Sequence, residues 1–65
     1  MSTQLYIVSF RFALRQEVRI KALGLKGCVY AVCRRGDGME EYRVIYWSEG
    51  KRCDEWLFDY EIEEL

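Results

Sequence analysis

Between Glu40 and Trp56 the chain reads EEYRVIYWSEGKRCDEW, and this stretch limits the available folds more than any other. Tyr42, Val44 and Tyr46 alternate with Arg43, Ile45 and Trp47, and a period of two puts alternate side chains on opposite faces of a pleated strand. Ser48-Glu49-Gly50 predicts a hairpin loop of three or four residues, with Gly50 in the left-handed conformation that costs glycine nothing. A returning strand then ends on Trp56. Tyr42, Val44, Tyr46 and Trp56 are expected to serve the fold, and the remaining chain must cover the apolar face of this hairpin.

Covering it is demanding in so short a chain. A domain of 65 residues buries only about 60% of the surface its unfolded chain exposes, so nearly every large apolar side chain has to be used. Two tryptophans, five tyrosines and three phenylalanines supply that bulk, each able to bury about 150–250 Å².

Upstream, LYIVSFRF over residues 5–12 is the most apolar segment and reads as an added or covering N-terminal strand. EVRIKAL, from Glu17, has Val18, Ile20 and Ala22 on one parity and predicts a half-exposed strand. Gly24 and Gly27 mark a turn. CVYAVCRR (Cys28–Arg35) predicts a strand with Val29, Ala31 and Cys33 on one face and Tyr30 and Val32 on the other. Gly36-Asp37-Gly38 is a second turn signal. After Trp56, Leu57-Phe58-Asp59-Tyr60 breaks the alternation and predicts a tight 3₁₀ turn before a last short strand at Glu61-Ile62-Glu63. A helix over residues 54–65 competes with that reading, but Glu63 and Glu64 at its C-terminus would oppose the helix dipole. Turn signals spaced about 8–12 residues apart predict an all-β fold, and the small size favours a barrel. The whole chain, residues 1–65, is expected to form one domain.

The composition narrows function by removal. There is no histidine, and Cys28, Cys33 and Cys53 are odd in number without C-x-x-C spacing, so the chain cannot close a four-ligand zinc site alone. Without an imidazole to activate a serine or cysteine, nucleophilic chemistry has no evident base. No catalytic residue, metal or cofactor is expected, and the acids near the C-terminus read as a solvated face. No apolar run approaches the ~20 residues needed to cross a membrane, and no signal peptide is evident, so a cytoplasmic protein is expected.

Charge is strongly divided. Residues 1–35 carry seven bases against Glu17 alone, and residues 36–65 carry ten acids against Arg43, Lys51 and Arg52. The division has three readings: a basic surface for nucleic acid, an acidic surface for a basic partner, or cross-strand pairs in which the two signs face each other. The third is favoured.

Phe12–Ile20, Gly27-Cys28-Val29, Tyr42–Trp47, Gly50-Lys51-Arg52 and Trp56–Ile62 together resemble the small Src-homology-3-like (SH3-like) barrels of the Tudor and KOW kind. They resemble in particular short uncharacterised barrel proteins of bacteria and their prophages. Their pattern runs approximately F-x-x-G-D-x-V-x-I, G-x-V, Y-x-V-x-Y, G, W-x-x-x-x-E-L, and Arg15 and Gln16 stand here where it has glycine and aspartate. The resemblance implies a five- to six-stranded barrel with one 3₁₀ turn before its last strand, and a phage or prophage origin. Tudor readers of methylated lysine or arginine use an aromatic cage that draws on the loop after the first barrel strand. That loop offers Leu23 and Leu25 here, so a cage would have to come from Tyr30, Tyr46, Trp47 or Trp56.

Two functional expectations follow. The first is a non-enzymatic protein-interaction module, a small adaptor or inhibitor, binding through Arg43, Ile45, Trp47 and Trp56, since exposed apolar patches with Trp, Tyr and Arg dominate binding energy. An edge strand at Leu5–Phe12 adds a homodimer to the expected partners. The alternative is an RNA- or DNA-binding KOW-type barrel using Arg11, Arg19, Lys21, Lys26, Tyr30, Arg34 and Arg35, bases and an aromatic that could hold and stack a strand. A methyl-lysine or methylarginine reader ranks behind both.

Overall fold

The computed structural model describes residues 9–65. They form one antiparallel sheet of five strands in spatial order β4-β3-β2-β1-β5: β1 (Glu17–Ile20), β2 (Leu25–Arg34), β3 (Glu40–Ser48), β4 (Lys51–Phe58) and β5 (Ile62–Glu64). A 3₁₀ turn at Asp59–Glu61 joins β4 to β5, as the broken alternation there predicts, and the helix alternative does not form. The Glu61 side chain closes that turn by accepting a hydrogen bond from the Phe58 N–H at 2.6 Å.

The fold is therefore all-β, and its sheet is open: among the described residues β4 and β5 are edges and do not pair with each other. The core lies on one face of the curled sheet and consists of Phe12, Val18, Ile20, Val29, Tyr42, Val44, Tyr46, Leu57 and Ile62. Tyr42, Val44 and Tyr46 of β3 point into it, as their alternation requires. Gly27 lies opposite Tyr46, and a Cβ there would meet Val44 Cγ1 at 2.5 Å and the Ile45 carbonyl oxygen at 3.0 Å. β2 and β3 approach this closely only because that side chain is missing.

The structure departs from the sequence reading in several places. Leu5–Val8 lie outside the described residues. Ser9–Phe12, the rest of the expected N-terminal strand, is not a strand but a bend, because Phe12 turns inward to pack edge-on against Tyr42 with ring centroids 5.3 Å apart. β1 stops at Ile20 rather than continuing to Leu23, since the N–H groups of both Leu23 and Gly24 turn back to the Ile20 carbonyl. β2 starts at Leu25, not Cys28. Its predicted parity holds to Tyr30 and fails beyond it, because the pairing to β3 slips between Val29 and Ala31. The bulge leaves Tyr30 unpaired and brings Val32, rather than Ala31, onto the face of Val29. The β3–β4 loop has two residues, Glu49 and Gly50 at φ 51° and 76°, between the paired Ser48 and Lys51; it is the tighter turn whose twist matches the strands. Trp56 is 45% exposed and outside the core. Its parity within β4 places it on the outer face, opposite Arg43.

Candidate functional site: the outer face of β3 and β4

The residues of β3 that alternate with the core strip, Arg43, Ile45 and Trp47, lie on the sheet's outer face. Register places Trp56, Asp54 and Arg52 of β4 opposite them in that order, and Cys28 of β2 opposite Ile45 from the other side. Trp47 is 63% exposed. It stands four positions along the strand from the Arg43–Trp56 pair, about 13 Å at the usual rise, with Ile45 and Asp54 between. All four residues expected from sequence to bind a protein thus share one face.

One end of this face is rigid. Arg43 donates from Nε to the Tyr30 hydroxyl at 2.8 Å, its guanidinium pairs with Asp54, and its central carbon lies 5.6 Å from the centre of the Trp56 ring. The Tyr30 hydroxyl first, and then Asp54, hold Arg43 even more firmly protonated than a free arginine. Tyr30 points outward, away from the face of the buried Val29, as its parity predicts, and the bulge leaves it unpaired beside Arg43. At the other end, Glu17, Lys26, Gly27, Cys28, Ile45 and Trp47 help to line a shallow hollow of about 180 Å³, bordered by the Lys26–Glu17 ion pair at 3.5 Å.

A second and larger hollow, about 550 Å³, opens on the core side between the end of β1 and β4. Ile20, Leu23, Tyr46 and Leu57 give it apolar walls, with Lys21, Glu55 and Glu61 also lining it. It lies where the sheet stays open. The Tyr46 hydroxyl titrates above the usual tyrosine range, first because burial disfavours the phenolate and then because Glu55 is near.

The basic residues are dispersed rather than gathered. Arg34 pairs with Glu40 at 2.7 Å and donates to the Ser9 carbonyl, while Arg35 pairs with Glu41 at 3.2 Å and Asp37 at 3.7 Å. Arg11 packs over the Phe12 ring at 5.3 Å. Arg19 sits between Lys26 and Glu63 in the register, and Lys21 lines the larger hollow. Some opposite charges are matched across strands, with Arg34 facing Glu40 in register and Arg43 and Asp54 in facing rows, whereas Arg19 faces Lys26.

Sequence reasoning missed a cluster around Glu40. Its carboxylate accepts from the Tyr42 hydroxyl, from Arg34 and from the Arg11 N–H, and the Tyr42 hydroxyl in turn accepts from the Phe12 N–H at 3.2 Å. The Tyr42 bond, with Arg34 next, holds Glu40 below the usual carboxylate range. Burial, with Glu40 next, pushes the Tyr42 phenol up. The only sequence signal was the i,i+2 spacing of Glu40 and Tyr42, which becomes a contact only when Phe12 arrives. This cluster fastens the chain ahead of β1 to the core.

Among the described residues no group of histidine, cysteine or carboxylate side chains is placed to hold a metal ion, and no helix is long and apolar enough to cross a membrane. No protein-family model, curated protein or solved structure matches the chain.

Proposed function

We propose that this chain is a non-enzymatic protein-interaction module, an adaptor or inhibitor, which docks its partner on the outer face of β3 and β4 through Arg43, Ile45, Trp47 and Trp56. The observation that carries this reading is the exposure of both tryptophans, 63% and 45%, on one face of a small protein that would be expected to use its large apolar side chains in the core. Large aromatics left in water beside a pre-positioned arginine have the composition of an interface hot spot. The two-residue β3–β4 turn and the Arg43 contacts hold the face in shape before binding, which lowers the entropy cost of association. The architecture is read as an SH3-like open barrel of the Tudor and KOW kind. Its likeness to prophage barrels supports an inhibitor of a host complex acting in the cytoplasm.

Nucleic-acid binding is the second reading, favoured by the exposed Trp47 lying near Lys26 and Arg52. Against it, Lys26, Arg34 and Arg35 already face carboxylates. A methyl-cation reader ranks third, since Arg43 occupies one face of Trp56 and Tyr46 is buried. Capture of a protein partner by the immobilised chain, lost in Trp47→Ala/Trp56→Ala while the variant still unfolds cooperatively, is the expected result. Micromolar binding of labelled RNA or DNA that weakens steeply with salt would instead establish the second reading.

A further inference from the structure

We infer that the edge of β4 left unpaired among the described residues pairs with the same edge of a second copy, antiparallel about a two-fold axis at Cys53. β4 opens with Lys51-Arg52-Cys53-Asp54-Glu55, two bases and two acids placed symmetrically about a cysteine. In an antiparallel self-pairing centred on Cys53, Lys51 meets the partner's Glu55 and Arg52 meets the partner's Asp54, and the two-fold repeats both pairs. An interface of this kind uses the same patch on both copies.

The backbone selects the same register. Ser48 and Lys51 flank the two-residue turn as a paired set, so Lys51, Cys53 and Glu55 direct their N–H and C=O groups toward β3. By the alternation of antiparallel ladders, Arg52, Asp54 and Trp56 direct theirs outward. Only registers that bring outward-directed residues opposite one another form a ladder, which removes every half-step register. Of those remaining nearby, a shift of two residues one way puts Arg52 against its own copy, and a shift the other way does so with Asp54. Like charges directly opposite are destabilising. The centred register alone matches all four charged residues.

Charged residues often blunt an exposed edge, but blunting does not need bases on one side and acids on the other. The opposite edge is unsuited: β5 has three residues, two of them glutamates. Among the described residues Lys51, Arg52 and Glu55 form no ion pair within the chain, so those charges are available. Pairing would join two sheets into one of ten strands, set the two outer tryptophan faces side by side and bring Lys51 and the partner's Glu55 toward the larger hollow. The inference does not depend on the docking role of Trp47.

Sedimentation equilibrium of the full chain, from about 10 μM to about 1 mM where weak self-association falls, tests it through a charge swap. The wild-type chain is expected to approach twice its 7.8 kDa mass. Lys51→Glu alone and Glu55→Lys alone each place like charges opposite one another twice and should sediment as monomers. Mixed in equal amounts they restore both oppositely charged pairs and should recover the doubled mass, which also shows that each variant folds. A wild-type chain that stays monomeric, single variants that dimerise like wild type, or a mixture that stays monomeric would each overturn the inference.

Discussion

Arg43 and Trp56 face each other across the β3–β4 pair, with the guanidinium carbon 5.6 Å from the ring centre. The contact lies on the outer surface, and it explains why Trp56 contributes so little to the core. Trp56→Ala should therefore cost under about 1 kcal/mol of stability, the range of an exposed cation–π contact. Ile62→Ala, which empties a fully buried site, should cost about 2–4 kcal/mol. Urea denaturation of the two variants measures the difference.

Glu40 makes stability depend on acid. The Tyr42 hydroxyl and Arg34 favour its ionised form in the folded state, so the unfolded chain takes up that proton first as pH falls. The contribution is complete above the usual carboxylate range and is lost as pH drops through it toward the lower folded value. Glu40→Gln should cost about 1 kcal/mol at neutral pH, and the cost should shrink below that range. Tyr42 acts at the other end: its raised pKa favours the protonated phenol in the folded state, so its contribution is lost as pH rises above the usual tyrosine range, and Tyr42→Phe should flatten that limb. Denaturation midpoints across pH test both signs.

Arg15 holds φ at 70° in a turn closed by the Gln16 N–H on the Ala13 carbonyl at 3.1 Å. A side chain there carries a left-handed penalty of about 1 kcal/mol that glycine lacks. Arg15→Gly should stabilise by up to that amount, even though it removes a charge. Glu49, at φ 51°, should likewise gain a few tenths of a kcal/mol on change to Asn, which tolerates that conformation. Thermal unfolding of each single variant reads the effect.

Gly27→Ala should destabilise by about 1–3 kcal/mol through overpacking against Val44, since the new methyl group has β3 in its place. Gly36, with open space around it, should accept alanine with no comparable loss. Comparing their melting temperatures separates the crowding from a general intolerance to alanine.

The all-β class, the β3 core strip and the 3₁₀ turn before the last strand could be read from the chain, because alternation and glycine-marked turns are local. The shared outer face of Arg43, Ile45 and Trp47 was legible for the same reason. The exchange of faces by Ala31 and Val32 was not: a bulge is a property of two paired backbones, and nothing in CVYAVC marks which residue is left over. Nor was the turning of Phe12 off a strand path, which depends on Tyr42 and Glu40 some 30 positions away. Trp56 misled because a large aromatic at a strand end suits core and surface equally, and only its register with Arg43 decides. The open edge between β4 and β5 follows from pairing geometry that turn spacing does not encode.

The two tryptophans are the only ones in the chain, and their indole N–H resonances report directly on the proposed docking face. Two-dimensional NMR of the full chain during titration with its captured protein partner should move or broaden both signals while the Glu40 cluster stays unchanged. Unmoved indoles, with shifts confined to Arg34 and Arg35 or produced only by nucleic acid, would contradict the account.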